Sequence, residues 1–229
     1  MKLSSLNKGL VAHWTMSQDS LKGSLLADKT PYENDGTIYG ATFATDRKGQ
    51  ANKAMSFDGV DDYIDCGSDN SLKLGNFGTI VAWIYPTSFS GIRVFYGSNG
   101  GADGDKTPYL RLEGGEVKAF LGNGTNINYV NSGYYPKLNT WSFVGMSWDG
   151  TNINSFHNTN IKSQNQTYPI SFTANTYFIG KPSQIDRNFA GLIDDVRIYN
   201  RALSQAEITT LYNSYNSKIQ LWVYKKEKF

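Results

Sequence analysis

The run from Leu192 to Tyr199, Leu-Ile-Asp-Asp-Val-Arg-Ile-Tyr, sets acidic chemistry inside an apolar stretch. On a strand's period of two, Leu192, Asp194, Val196 and Ile198 share one face, and Ile193, Asp195, Arg197 and Tyr199 the other. Asp194 then stands among branched apolar side chains. A carboxylate there is costly unless it is paired, hydrogen-bonded or bound to a metal. Glycoside hydrolysis would need two carboxylates flanking one bond. On this alternation Asp194 and Asp195 point to opposite faces and cannot act as acid and nucleophile on one sugar, and no Glu-x-Asp-x-x-Glu run occurs. Gly-x-Ser-x-Gly, His-Glu-x-x-His and phosphate-loop motifs are also missing. His13 and His157 are the only histidines, which supplies triad chemistry poorly. A lone strand histidine such as His13 is ordinarily a packed or surface side chain. The expectation is a protein that is not an enzyme.

Other acidic groups raise the question of metal binding. Asp58, Asp61 and Asp62 fall within five positions, but the ladder and closing Glu of an EF-hand are absent. Carboxylates in such a turn cap backbone N–H groups, which is the reading preferred here. Asp103-Gly104-Asp105 reads as a solvated loop tip. Loop 121–138 holds a different mixture: Asn123, Asn126, Asn128, Tyr129, Asn131, Tyr134 and Tyr135. Aromatic faces with amides around them suit the apolar side and the hydroxyls of a sugar ring. Tyr129 and Tyr134 read equally well as plain strand-end aromatics.

Strands must carry these groups. Leu10–Met16, two short strands in Ala54–Cys66 around Asp58-Gly59, Trp141–Trp148, Thr176–Gly180 and Phe189–Tyr199 all have strand patterns. Gly78–Pro86 is nearly all apolar, as for a strand buried on both faces. Asp28–Gly40 reads as a loop of turn formers. Glu113-Gly114-Gly115, Asn123-Gly124 and Asp149-Gly150 mark hairpins. Gly-Thr-Asn-Ile-Asn occurs at 124–128 and 150–154 and reads as shared turn chemistry, not as a repeat. One helix follows the last strand, with Ser204 and Glu207 as a capping box and Ile208, Leu211, Tyr212 and Tyr215 on one face.

Composition agrees with an all-β chain. The 229 residues include 15 Tyr, 12 Phe, 5 Trp and 23 Gly, which suits strands and tight turns. A net charge of +2 argues against a dedicated nucleic-acid binder. Cys66 is the only cysteine, so no intrachain disulfide can form. No run reaches the ~18 apolar residues of a membrane span. Residues 1–10 show no apolar signal segment, which leads to the expectation of a signal removed or of release without one, as for a virion protein.

Gly191 to Ser204, Gly-Leu-Ile-Asp-Asp-Val-Arg-Ile-Tyr-Asn-Arg-Ala-Leu-Ser, resembles the closing strand and helix start of LamG-like modules, which are concanavalin A-like lectin/glucanase jelly rolls. Leu10–Trp14, Phe57–Ile64, Thr79–Pro86, Trp141–Trp148 and Thr176–Gly180 are similar to further strands of that family. Lys29–Glu33 and Phe156–Thr159 depart from its pattern. The resemblance implies a sandwich of two antiparallel sheets over residues 1–217, with strand 190–199 beside strand 10–16. It leaves 218–229 as a tail that could add a strand to a partner's sheet. It further implies a structural calcium ion, with Asp28 suggested by the family's loop; Asp194 is added for its place among apolar residues, and carbonyls from Asn34 to Gly36 complete the expected set. The implied function is non-catalytic recognition of carbohydrate at a surface, through Asn126, Asn128, Tyr129, Tyr134 and Tyr135, in an extracellular or virion-surface setting. The implied partners are a glycan, other virion or surface proteins, or a second copy of the chain. Two alternatives stay open: a purely structural virion or surface subunit, and a glycoside hydrolase of the same fold.

Overall fold

In chain order the strands are β1 (Leu10–Trp14), β2 (Leu21–Lys22), β3 (Leu25–Leu26), β4 (Gly36–Tyr39), β5 (Thr42–Ala44) and β6 (Ala54–Asp58). Next come β7 (Tyr63–Asp65), β8 (Gly78–Pro86), β9 (Ile92–Ser98), β10 (Pro108–Glu113), β11 (Glu116–Gly122) and β12 (Ile127–Asn131). The last are β13 (Ser142–Trp148), β14 (Asn152–His157), β15 (Asn160–Asn165), β16 (Tyr177–Ile179) and β17 (Ala190–Tyr199). An α-helix, α1, spans 205–214. The structure is a computed structural model and describes residues 6–98, 108–123, 125–170, 176–181 and 186–214. The Asp103–Asp105 tip, Tyr215 and the 218–229 tail lie outside the described residues.

The strands form two antiparallel sheets. One has eight strands in the order β15-β14-β13-β8-β17-β6-β5, with β1 beside β17. The other has nine, in the order β12-β11-β10-β9-β16-β7-β4-β3-β2. This is the expected jelly-roll sandwich, and β17 pairs with β1 as expected, with Leu10 opposite Tyr199 and His13 opposite Arg197. Trp14, Phe57, Ile80, Ile84, Tyr96, Leu110 and Ile193 belong to the core between the sheets. A second apolar cluster lies on the outer face of the eight-stranded sheet, where Val81, Trp83, Phe143 and Tyr199 meet Leu203, Ile208 and Leu211. Strand β8 therefore buries both faces, which is why its sequence is a continuous apolar run.

The motif after β17 closes the molecule. Thr79 Oγ1 donates to the Arg201 carbonyl (2.8 Å) and accepts from the Leu203 N–H (2.9 Å). Arg201 Nε reaches the Lys8 carbonyl (2.7 Å), tying the two ends of the module together. The capping box forms: Ser204 N donates to Glu207 Oε2 (3.0 Å) and Glu207 N donates to Ser204 Oγ (3.3 Å). Gly191, at φ 139°, takes a backbone form that side chains rarely allow, and a Cβ there would strike the Tyr85 carbonyl.

Two local readings change. Strand β17 is not regular: its register against β8 shifts between Asp194 and Arg197, and Asp195 has φ 51°. That bulge inserts an extra residue and reverses the phase of alternation. Ile193, Val196 and Ile198 face the core, so Asp194 does not share a face with Val196 and Ile198. Asp194 and Asp195 do not oppose each other either; both line one cleft on the outer face. Secondly, part of the 28–40 segment is strand β4, paired with β3 and β7. The two short strands around Asp58-Gly59 form as read, and that turn carries the chain from one sheet to the other.

Candidate functional site

Alternation in the nine-stranded sheet sends Ile38, Ile64, Tyr177, Ile179, Leu110, Ala119 and Val130 inward. Their neighbours point outward and form a band of six aromatic rings across the sheet. Tyr39 and Tyr63 stack at 4.5 Å, and Tyr63 meets Phe178 edge-on at 5.8 Å. Gly97 lies opposite Phe178, and a Cβ there would come within 3.0 Å of the Tyr109 ring, so glycine leaves room for the band to continue. Tyr109 meets Phe120 at 6.2 Å, and Phe120 stacks on Tyr129 at 6.0 Å. Phe178, Tyr109 and Phe120 are buried and Tyr63 is half-buried, whereas Tyr39 and Tyr129, at the two ends, are 45% and 48% exposed. From β4 to β12 there are six strand steps, about 29 Å at ~4.8 Å each.

Charged groups accompany the rings. Lys181 Nζ lies 3.4 Å from the Tyr63 centroid and 4.9 Å from that of Phe178, a cation–π arrangement. Burial pushes the Lys181 ammonium below its usual range, with the Asp65 carboxylate opposing. Arg111 lies over Phe120 at 4.2 Å and pairs with Glu113 at 2.7 Å, and Lys118 reaches the same carboxylate at 3.1 Å. Each exposed tyrosine is thus backed by a second ring and flanked by donors and acceptors.

A cleft of about 220 Å³ opens on the outer face of the other sheet. Strand β1 supplies His13, the bulge of β17 supplies Asp194, Asp195 and Arg197, and the turn after β5 supplies Arg47, Lys48 and Gln50. The Asp46 carboxylate shapes that turn by accepting from the Lys48 and Gln50 N–H groups, both at 2.8 Å. His13 Nε2 lies 2.6 Å from Asp195 Oδ1, and Arg197 Nε donates to the same oxygen at 3.0 Å. Arg47 pairs with Asp194 through Nη1, approaches Asp195 through Nη2 at 3.7 Å, and lies over the Trp83 ring at 5.0 Å. The two carboxylates ionise differently. Burial pushes Asp194 up to about 7, with help from the Asp195 and Asp46 charges and against the pull of Arg47. Burial works against the Asp195 charge too, but Arg197, His13 and Arg47 overcome it and hold this carboxyl well below the usual range. His13 is therefore more than a packed strand side chain: it is a hydrogen-bond partner of Asp195 at a cleft.

The residues expected to bind calcium do not form one site. Asp28 Oδ1 accepts from the His13 and Thr30 N–H groups (2.8 and 3.0 Å), and Oδ2 from Thr30 Oγ1 and the Asn34 N–H (2.7 and 3.1 Å). The Asn34 carbonyl accepts from the Trp14 indole at 2.8 Å, and the Gly36 backbone pairs with Leu26 in the sheet. Asp194 is bound to Arg47. Asp28, Asn34 and Gly36 are satisfied by protein donors and Asp194 is held by a guanidinium, which does not fit a cation ligand set. The carboxylates of Asp58, Asp61 and Asp62 lie within 4.8 Å of one another, and two of them cap the turn: Asp58 Oδ1 accepts from the Val60 N–H (2.7 Å) and Asp62 Oδ2 from the Asp58 N–H (2.8 Å).

Nor do the expected sugar ligands converge. Tyr129 faces outward in the aromatic band, with Asn131 exposed on the same face of β12. Asn128 points inward and is spent on backbone: Oδ1 accepts from the Thr167 and Tyr168 N–H groups and Nδ2 donates to the Tyr168 carbonyl. Asn126 closes a turn with Asn123, whose Oδ1 accepts from its N–H at 2.8 Å. Tyr134 packs against His157 of the other sheet at 6.1 Å, and burial lowers the His157 pKa. Tyr135 is exposed at the chain crossing between sheets. Tyr39, Tyr63 and Lys181 were missed. The signal was present in Thr-Ile-Tyr at 37–39 and Tyr-Ile-Asp at 63–65, where one aromatic stands next to an isoleucine and so takes the opposite face of the strand.

Comparison with known proteins gives the same fold. Domain 4 of AbnA, an extracellular arabinanase from Geobacillus stearothermophilus solved in complex with arabinotriose, is 21% identical with a TM-score of 0.70, covering 89% of this chain and 98% of that one. The botulinum neurotoxin serotype D binding domain is 16% identical with a TM-score of 0.72, covering 91% of this chain and 52% of that one. The serotype D ligand binding domain in complex with N-acetylneuraminic acid is 16% identical with a TM-score of 0.71, covering 92% and 52%. The chain thus spans about half the length of these toxin chains. No curated protein matches the sequence. A family profile described as the concanavalin A-like lectin/glucanases superfamily matches residues 58–209, and the chain belongs to that superfamily.

Proposed function

We propose that this chain is a non-catalytic carbohydrate-binding module that holds a glycan on the outer face of its nine-stranded sheet. One observation carries the reading: Tyr129 stacks on Phe120 and Tyr39 on Tyr63, so each end of the band presents one exposed ring on a fixed backing. A ring that is already immobilised loses little freedom when a sugar lies on it. Lys118 and Glu113 at one end, and Lys181 and Asp65 at the other, supply hydrogen-bonding groups for hydroxyls. The distance between the ends favours an extended glycan over a lone sugar. Similar folds solved with arabinotriose and with N-acetylneuraminic acid support the ligand class. Recognition in place of cleavage is part of the proposal, because Asp194 and Asp195 are nearly buried and committed to arginines. A place outside the cell or on a virion surface belongs to the same reading.

The test is glycan binding by Tyr129→Ala and Tyr39→Ala variants, on an array and then by calorimetry with the best ligand. Each substitution is expected to weaken binding about tenfold, or ~1.4 kcal/mol. Unchanged affinity in the double variant would move the site elsewhere. Release of reducing sugar from any array ligand would overturn the non-catalytic part.

A further inference from the structure

Lys181 stands in the aromatic band with rings around its charge and no carboxylate against it. We infer, resting on the reading of this face as the glycan site, that Lys181 selects an acidic glycan: it pairs with an anionic group, a carboxylate or a sulfate, on the sugar residue that lies over Tyr63 and Phe178. Gly180, at φ 89°, ends β16, and the next side chain comes back over the outward rings of β7 and β16. Strand order puts Tyr39 on one side of the Tyr63 ring and β16 with Lys181 on the other.

Ring faces attract an ammonium, but they do not complete it. It carries three N–H donors, and among the described residues no oxygen accepts from Nζ and no carboxylate forms an ion pair with it. Asp65 stands beside Phe178 in the sheet and acts on the ammonium through its charge, yet its Oδ1 takes the Gly67 N–H at 2.8 Å. The far end of the same face shows the opposite case, where Glu113 meets both Arg111 and Lys118. There the chain supplies the counter-ion; at Lys181 it does not.

Lys181 is half-buried, and that burial disfavours its charge. A sugar hydroxyl could accept one hydrogen bond from it but would leave the charge unbalanced. An anion does both, because a partly desolvated ammonium gains more from an opposite charge than a solvated one does. Reach fits as well. From β4 to β16 there are two strand steps, about 10 Å. A glycan stacked on the exposed Tyr39 ring and running along the band therefore passes Lys181 with a residue further along its chain.

Calorimetry and amide NMR on the full chain test this with two matched pairs of probes: tetragalacturonate and its methyl ester, and a sulfated carrageenan tetrasaccharide and its desulfated form. Each pair keeps the sugar chain and removes the charge. In at least one pair the charged member should bind about tenfold more tightly than its partner and shift amides at 63–65 and 177–181. The pair that responds tells carboxylate from sulfate, and the difference should shrink with added salt. Lys181→Met keeps an apolar stem on the rings and should abolish the preference, at unchanged melting temperature and unchanged affinity for the uncharged member. Lys181→Arg should keep it, since a guanidinium stays charged and also stacks on rings. Equal affinities within both pairs, or a preference that survives in Lys181→Met, would overturn the inference and leave the face as a site for neutral glycans. If no probe binds and the Tyr39→Ala, Tyr129→Ala double variant keeps every array ligand, the glycan site on this sheet falls, and the inference with it.

Discussion

Asp194 and Asp195 are adjacent in sequence, yet the protein treats their charges in opposite ways. Asp194 has a folded pKa of about 7, above the usual 3.8. Folding favours its protonated form, so the stability it contributes is full below pH 3.8 and lost as pH rises through about 7. Asp195 is depressed, so its contribution is present above pH 3.8 and disappears as pH falls through its lower folded value. Urea unfolding between about pH 4 and pH 8 should show a decline in wild type that is shallower in Asp194→Asn. Equal slopes would show that Arg47 keeps Asp194 ionised throughout. Asp28 leads to a different expectation. Its carboxylate satisfies three N–H groups and a hydroxyl, so Asp28→Ala should cost about 2–3 kcal/mol, and by the same amount with calcium or with chelator. A loss seen only with calcium present would restore a metal to this place. Sequence showed that Asp194 needed a partner but not which one. Arg47 is 147 positions away, and the bulge that aims Asp194 at it breaks the period on which the faces were assigned. The available hint was the residue type, since Asp tolerates the left-handed backbone found at Asp195.

Elements were legible where a local rule fixes them. Glu113 and Glu116 close a hairpin through Gly114 and Gly115, both at positive φ, the form that a two-residue turn requires. The two Gly-Thr-Asn-Ile-Asn copies follow Asn123 and Asp149, each accepting from N–H groups two and three residues on. Shared turn chemistry therefore explains the repeat. The Asn-Arg-Ala-Leu-Ser motif was legible because each part has a local task, in pairing, burial or capping. Ser204→Ala should cost about 1 kcal/mol. Gly191→Ala should cost more, because both its dihedral and the nearby Tyr85 carbonyl exclude a side chain. Thermal melts rank the two, and the reverse order would mean that the β17–β8 junction yields more easily than its geometry implies. Strands β2 to β5 escaped the sequence reading for a plain reason. Two to four residues carry too little alternation to separate a strand from a loop, and long-range pairing decides.

The whole molecule is held shut where the segment before β1 meets the segment after β17. Leu6, ahead of the first strand, is buried with Val81, Trp83, Leu203, Ile208 and Leu211 beneath α1, and Arg201 grips the Lys8 carbonyl beside it. The sandwich core is separate, on the inner side of the same sheet. Damage at Leu6 should therefore loosen the outer layer before it reaches the core. Leu6→Ala removes a fully buried side chain, a change that costs about 2–5 kcal/mol in packed interiors. Most of that loss should fall on α1 and the segment before β1. Amide exchange at 205–214 should accelerate by orders of magnitude, while core strands β8 and β13 exchange only through global unfolding. Leu112→Ala, placed between the sheets, provides the contrast, because it should accelerate exchange in β8 and β13 as much as in α1. If Leu6→Ala accelerates all of these alike, the outer layer and the sandwich are one cooperative unit, and the separation of the two apolar clusters has no energetic meaning.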